Sequence, residues 1–167
     1  DKNKDHQTLL EAFRLMNNTV PSRLLILGEG PERASLEEII AETGLADRVQ
    51  LPGFVDTPWA WMAKSSLFVL SSFAEGSGNV LTEAMAVGTP VVSTDCPSGP
   101  SEMLDGGRIA PLVPVGDAKA LAAACIDVLN SGIAASLLDE AVAPFKAEVA
   151  AKHYLAFMNI GVPSSTY

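Results

Sequence analysis

The chain has 167 residues, of which 48% are hydrophobic and 19% charged, so it can bury the core of one domain and is not disordered. Its net charge of −9 argues against a nucleic-acid-binding surface, which is usually basic, and gives no support for docking on anionic lipid. The two cysteines, Cys96 and Cys125, are far apart in sequence, which predicts neither a disulfide framework nor a metal-ligand cluster.

The first half of the chain alternates predicted helices with short apolar strands. Residues 8–17 have an amphipathic helical pattern, and RLLIL at 23–27 predicts a buried strand. A helix is predicted over 31–42, because Pro31 suits a first helical turn. The next predicted elements are a strand at 48–51, a helix at 57–64 and a strand at 67–70.

The second half continues this alternation. The predicted elements are a helix at 80–86, a strand at 89–93, a short helix at 101–104, an extended piece at 109–113, a helix from Asp117 to about 129, and one or two helices within about 133–160. Apolar strands between amphipathic helices, with short connections, indicate an α/β fold with a parallel sheet, in a single domain over residues 1–167.

Three glycine-bearing polar loops are predicted to meet at one edge of this sheet. They follow predicted strands and read GEGP at 28–31, SSFAEGSGN at 71–79 and TDCPSGPSE at 94–102. Because ligands bind beyond the carboxyl ends of parallel strands, where the following helices begin, these loops should line one cleft.

The middle loop combines the features of a phosphate site with two carboxylates. Gly76 and Gly78 let the backbone approach a ligand, and the first amides of the next helix attract an anion. Glu83, about one turn into that helix, leans back toward ribose hydroxyls, and Glu75 lies on the other side of the turn, toward a hexose. Two glutamates at this spacing also occur by chance on solvated helices, but the glycine turn and the buried strand before it favour a nucleotide-sugar site.

The segment FAEGSGNVLTEAMAVGTPVV resembles the E-x7-E signature of the group 1 glycosyltransferases, a retaining family (family 4) with the two-domain GT-B fold. The resemblance extends over nearly the whole chain. It includes LLILGEGPERASLEEIIAETGLADRVQLPGFV, the opening DKNKDHQTLLEAF and the ending FKAEVAAKHYLAFM. The loop TDCPSGPSEML is similar to that of a subset that builds bacterial surface or lipid-linked glycans.

This resemblance implies the Rossmann-like, three-layer α/β/α C-terminal half of a GT-B enzyme, with an acceptor-binding N-terminal domain and the first strand of this domain upstream of residue 1. It implies transfer of a sugar, with retention, from a UDP- or GDP-type nucleoside diphosphate sugar to a glycan or lipid-linked acceptor in polysaccharide, lipopolysaccharide or glycolipid biosynthesis. No metal or other cofactor is expected. The expected location is cytoplasmic, with peripheral membrane association of the full-length enzyme left open. The fragment alone is expected to bind donor weakly at best and to be inactive.

The resemblance also implies roles for three side chains. Glu75 contacts the donor sugar and is the candidate catalytic group, although not a covalent nucleophile. Glu83 binds the ribose, and a lysine, Lys4 in preference to Lys2, neutralises the diphosphate together with an arginine upstream of the chain. Ser77 is smaller than the aromatic residue that many members have there, which leaves the shape of the hexose pocket open. The other donor-binding positions implied are Gly28, Gly30, Gly53, Phe54, Val55, Gly76, Ser77, Gly78, Asn79 and Val80.

Three other functions remain open. A sugar-nucleotide epimerase on the same architecture would also bind a diphosphate sugar, but should carry its own set of histidine and arginine residues. An NAD-binding module is disfavoured, because the GEGPER turn lacks the third glycine of G-x-G-x-x-G. A non-catalytic module that keeps the fold is disfavoured by the intact pair of Glu75 and Glu83.

Overall fold

The computed structural model describes residues 1–158, in which strands and helices alternate as predicted. The strands are β1 (Leu24–Leu27), β2 (Val49–Gly53), β3 (Phe68–Leu70), β4 (Val91–Thr94) and β5 (Leu112–Val113). The helices are α1 (His6–Asn17), α2 (Arg33–Glu42), α3 (Pro58–Met62), α4 (Asn79–Ala86), α5 (Pro100–Met103), α6 (Ala118–Ser131), α7 (Ala135–Val142) and α8 (Ala147–Phe157). Short 3-10 turns lie at Lys2–Lys4, Asp105–Gly107 and Ala143–Phe145.

All strand pairs are parallel, as predicted, but the strands form two sheets rather than one. β1 pairs with β2, while β3, β4 and β5 form a second sheet in that order. The two sheets share one core. Ile26 and Val49 of the first sheet belong to the same buried cluster as Val92 and Val113 of the second.

Neighbouring residues of β4 face opposite layers of helices, because side chains alternate across a strand. Val92 lies in the cluster formed with α1 and α6, whereas Val91 lies in a second cluster with Leu81 of α4 and Leu138 of α7. Both valines are fully buried. The chain is therefore a three-layer α/β/α domain, which confirms the predicted fold class.

Two local predictions were wrong. Pro31 lies before α2 rather than in its first turn, because the Arg33 amide donates to the Gly30 carbonyl and closes a tight turn before the helix begins. The strand at RLLIL is not buried as a whole. Within β1 only Ile26 is buried, and Leu25 on the opposite face is 37% exposed.

None of the helices within residues 1–158 is by itself long and apolar enough to cross a bilayer. One pair, Ala118–Ser131 with Ala135–Phe157, meets the length and composition criteria only when taken together, across a bend of 118°. The first member of this pair is α6, whose apolar face packs in the domain core.

The substitution Leu121→Ala is expected to lower the free energy of unfolding by about 2–5 kcal/mol, because it leaves a cavity at a fully buried position of α6. Urea unfolding followed by circular dichroism measures the change. Leu25→Ala is the matched control, since it removes the same atoms from a half-exposed side chain and should cost less than about 1 kcal/mol. Equal losses in the two variants would contradict this description of the core.

Candidate functional site

The Glu75 side chain is held by two hydrogen-bond donors on the same oxygen. It lies in the loop after β3 and is 11% exposed. Ser72 Oγ donates to Glu75 Oε1 at 2.5 Å, and Lys4 Nζ lies 2.7 Å from the same atom. Among the residues that the structure describes, no hydrogen bond reaches Oε2, and Oε2 is not a buried atom. The second oxygen is therefore accessible to a ligand hydroxyl.

Lys4 reaches Glu75 because the loop after β3 bonds to the backbone of the 3-10 turn Lys2–Lys4. Ser71 Oγ donates to the Lys4 carbonyl at 2.7 Å, and the Phe73 amide donates to the Asn3 carbonyl at 2.8 Å. The Lys4 side chain is 41% exposed. Burial lowers the pKa of the neighbouring His6. Lys4 supplies the positive charge next to Glu75.

The turn 76–79 presents backbone amides at the start of α4. Gly78 is the N-cap, with a φ of 64°, and no side chain bonds to the first amides of the helix. The other three residues of the turn are exposed, and Val80 packs against the apolar cluster below it. Unpaired amides at the start of a helix attract an anion. This is the backbone geometry expected of a phosphate site.

The loop after β4 supports this turn through a close backbone contact. Gly99 has a φ of 105°, and a Cβ added there would lie 2.5 Å from the Ser77 carbonyl oxygen, so the contact requires glycine. Glu102 Oε2 accepts a hydrogen bond from the Gly99 amide at 2.8 Å. The position of Ser77 therefore depends on a loop that follows it by about twenty residues.

Glu83 lies one turn after Asn79 on α4, and its side chain is exposed. Within residues 1–158 it makes no hydrogen bond or ion pair with another side chain. Helical side chains lean toward the helix N-terminus as a rule. The two glutamates thus differ: Glu83 makes no side-chain bond to residues 1–158, whereas Glu75 is anchored through Oε1 and leaves Oε2 without a hydrogen bond there.

Two of the implied donor-binding glycines, Gly28 and Gly53, also meet. The Gly28 amide donates to the Gly53 carbonyl at 2.8 Å, which joins the loop after β1 to the end of β2. Both glycines have positive φ, 108° and 83°. Glu29 covers Gly53 so closely that an added Cβ would lie 2.6 Å from Glu29 Oε1, and Arg33 holds this carboxylate at 2.7 Å.

The start of the chain connects this group of glycines with the Glu75 loop. A Cβ added at Gly30 would lie 3.4 Å from the Asp1 nitrogen, and the first turn is itself bonded to the loop after β3. Phe54, directly after β2, is 78% exposed, and Val55 is partly buried. Across residues 1–158 no hydrogen bond or ion pair joins the loops that carry Gly28 and Gly53 directly to the loop that carries Glu75.

A sequence profile of the family described as Glycosyl transferases group 1 matches residues 1–131. The chain belongs to the group 1 glycosyltransferases. This confirms the family to which the sequence motifs were assigned. It also means that Glu75, Gly78 and Glu83 lie within the matched region of the family.

Two curated relatives and one solved structure show how much of a family member is present. The chain is 37% identical over 115 residues to the N-acetylgalactosamine-N,N'-diacetylbacillosaminyl-diphospho-undecaprenol 4-alpha-N-acetylgalactosaminyltransferase of Campylobacter jejuni, covering 69% of the chain and 31% of that protein. It is 36% identical over 121 residues to the lipopolysaccharide core biosynthesis glycosyltransferase LpsE of Rhizobium meliloti, covering 72% and 34%. Its fold is similar to that of TarM from S. aureus, with a TM-score of 0.83 at 24% identity over 94% of the chain and 32% of TarM. The chain thus spans about a third of the length of the relatives it matches.

A cavity of about 700 Å³ also touches the turn, with Gly76 and Ser77 in its wall. The rest of the wall comes from the loop after β4, α5, α7 and the residues that follow each helix. Arg108 in this wall is bonded to Glu140 and Asp105, and these hydrogen bonds raise the pKa of its guanidinium. The positive charge of Arg108 in this wall is therefore already paired with two carboxylates.

The family motif does not identify the residues that hold this site together. Ser72 and Gly99 lie in the polar loops at 71–79 and 94–102, but the sequence assigns neither of them a role. The only available signals were the serine three residues before Glu75 and the glycine between the two prolines of CPSGP. The Ser72 partner, Glu75, lies in the same loop, but the Gly99 partner, Ser77, lies in another loop, and neither contact is visible before the chain folds.

Proposed function

We propose that the chain is the donor-binding half of a retaining glycosyltransferase, which transfers a sugar from a nucleoside diphosphate sugar to an acceptor hydroxyl. Family membership supports the reaction class. The observation that carries the proposal is the turn 76–79, where exposed amides begin α4 between Glu83, which is free, and Glu75, whose Oε2 is open. Amides suit a diphosphate, and carboxylates suit the hydroxyls of ribose and hexose.

The relatives support a role in building polysaccharide, lipopolysaccharide or glycolipid. The C. jejuni relative has diphospho-undecaprenol in its name, and the R. meliloti relative is named for lipopolysaccharide core biosynthesis. The acceptor is accordingly a glycan or a lipid-linked glycan, bound by a part of the gene product other than this chain. With such an acceptor, we expect the full-length enzyme to act in the cytoplasm, at the inner face of the membrane.

In this mechanism the protein acts mainly through charge. Lys4 and the amides of the turn take up the negative charge that grows on the diphosphate as its bond to the sugar breaks. Glu75 holds the sugar through Oε2 and stabilises positive charge near the anomeric carbon. Within residues 1–158, no three His, Cys, Asp or Glu side chains lie close enough together to hold a metal, and the expectation of a metal-free reaction stays a prediction.

Titration of the complete gene product with UDP, GDP, ADP and NAD tests the proposal. We expect UDP or GDP to raise the Tm, since a ligand at about a hundredfold its Kd adds about 2.7 kcal/mol to stability. In Glu83→Ala the Kd of that nucleotide should rise about 10- to 100-fold, because a hydrogen bond to a charged group contributes about 1.5–3 kcal/mol. Isothermal titration calorimetry measures the change.

The matched control is Glu42→Ala. Glu42 is also an exposed helical glutamate, but it lies at the end of α2, far from the loops that follow the strands. Its removal should leave the Kd unchanged. A response to NAD alone, or equal losses of affinity in the two variants, would refute the proposed site.

A further inference from the structure

Two hydrogen-bond donors of different chemical character orient the Glu75 side chain. Ser72 Oγ and Lys4 Nζ both bond to Oε1, at 2.5 and 2.7 Å. Lys4 is partly exposed, and its charge is attracted by a diphosphate as well as by Glu75. Ser72 is fully buried, short and uncharged, so its hydroxyl cannot follow a ligand. When a sugar nucleotide occupies the site, we expect the hydrogen bond from Ser72 to Glu75 to remain.

Ser72 is in turn held by Thr94. Thr94 Oγ1 donates to the Ser72 carbonyl at 2.7 Å and lies 3.4 Å from the Leu70 carbonyl. Thr94 ends β4, and Ser72 lies just past the end of β3. The bond therefore extends the contact between these strands beyond their last paired residues, Leu70 and Ser93. The hydroxyls of Thr94 and Ser72 thus link the sheet formed by β3 and β4 to Glu75, the candidate catalytic residue.

These hydroxyls are not needed to fill space. Ser72 and Thr94 are both fully buried, where alanine and valine would pack in nearly the same volume without burying a polar group. Within residues 1–158, the Ser72 hydroxyl bonds only to Glu75. The Thr94 hydroxyl bonds to the backbone at the end of β3 that carries Ser72, and it also interacts with the Cys96 side chain. Both buried hydroxyls therefore lie on a path of hydrogen bonds that ends at Glu75.

We propose that Ser72 and Thr94 are positioning residues for sugar transfer. Thr94 fixes the backbone of the loop, Ser72 fixes Oε1 of Glu75, and Oε2 is thereby directed at a hydroxyl of the donor sugar. The assignment rests on the proposed function, because it places Glu75 at the sugar end of the donor. Loss of either hydroxyl should then weaken recognition of the sugar and leave binding of the free nucleotide intact.

The test compares two Kd values in each variant of the complete gene product. Ser72→Ala and Thr94→Val are titrated with UDP and GDP, and with UDP-N-acetylglucosamine, UDP-N-acetylgalactosamine, UDP-glucose and GDP-mannose. We expect the ratio of the Kd of the bound sugar nucleotide to that of its free nucleotide to rise about tenfold, while the Kd of the free nucleotide changes by less than about twofold. In transfer assays kcat should fall more than KM rises.

Two further variants separate positioning from general stability. Thr94→Ser keeps the hydroxyl and loses only a methyl group, so it should retain the wild-type ratio. Ser93→Ala removes another fully buried hydroxyl of β4, which donates to the Thr94 carbonyl at 2.8 Å and has no bond to the Glu75 loop. Its ratio should also stay at the wild-type value.

An unchanged ratio in either folded variant, Ser72→Ala or Thr94→Val, would overturn the positioning role. So would equal loss of affinity for the free nucleotide and the sugar nucleotide, since that is the effect of general damage to the fold. If one variant does not fold, the other decides the question, because both act on the same oxygen of Glu75. If the wild type binds neither UDP nor GDP, the proposed function fails first and the positioning role fails with it.

Discussion

Replacing Glu75 with glutamine is expected to lower the kcat of sugar transfer by the complete gene product by about 100-fold or more, because one preorganised charged group near the reacting centre contributes about 2.7–4 kcal/mol. The amide has the same shape as the carboxylate but lacks its negative charge. The Kd of the free nucleoside diphosphate should change little, since Glu75 is placed at the sugar. Steady-state kinetics with a radiolabelled donor, combined with calorimetry, measures both quantities.

Glu83→Ala provides the contrast within the same site. Glu83 makes no side-chain bond within residues 1–158 and is proposed to bind the ribose, so its loss should act mainly on KM and on nucleotide affinity. Glu42→Ala controls for the loss of an exposed glutamate. If Glu75→Gln kept its kcat within about threefold, or if it lost free nucleotide binding as strongly as Glu83→Ala, the assignment of Glu75 to the sugar would be wrong.

The substitution Gly99→Ala is expected to have the second large effect, on stability and on ligand binding together. Its Cβ would lie 2.5 Å from the Ser77 carbonyl oxygen, and its backbone has a φ of 105°. The clash and the strained backbone should together cost about 2–4 kcal/mol of unfolding free energy. Relief of the clash must displace the turn 76–79, so nucleotide affinity should fall about tenfold or more. Urea unfolding and calorimetry measure the two effects.

Gly44→Ala is the matched control, because Gly44 also has positive φ, 69°, but an added Cβ there meets nothing within 4 Å. It follows α2, away from the loops that form the candidate site. We expect a loss of about 1–2 kcal/mol from the left-handed backbone and an unchanged Kd. Similar stability losses and unaltered binding in both variants would show that the Gly99–Ser77 contact does not support the turn.

The sequence predicted the parts of the fold that depend on local pattern. The periodic apolar residues Leu9, Ala12, Phe13 and Met16 are buried on one face of α1, as expected. Asp117 caps α6 through a bond from the Ala120 amide at 2.9 Å. Helix α4 begins at Asn79, one residue before its predicted start. These features follow from side-chain spacing and capping alone.

Features that depend on distant contacts were not predictable in the same way. Lys4 and Glu75 were both assigned to the site, but their ion pair forms between residues 71 positions apart. The division into two sheets and the exposure of Leu25 depend on which strands pair, and apolar runs do not specify this. Gly99 became significant only because the fold places Ser77 against it.

A crystal structure of the complete gene product with a bound UDP- or GDP-sugar would show the donor site itself. We expect the diphosphate to contact the amides of residues 76–79 and Lys4, the ribose to bond to Glu83, and a sugar hydroxyl to bond to Oε2 of Glu75. A nucleotide bound instead in the cavity beside Arg108, or a sugar that leaves Glu75 Oε2 without contact, would contradict this expectation.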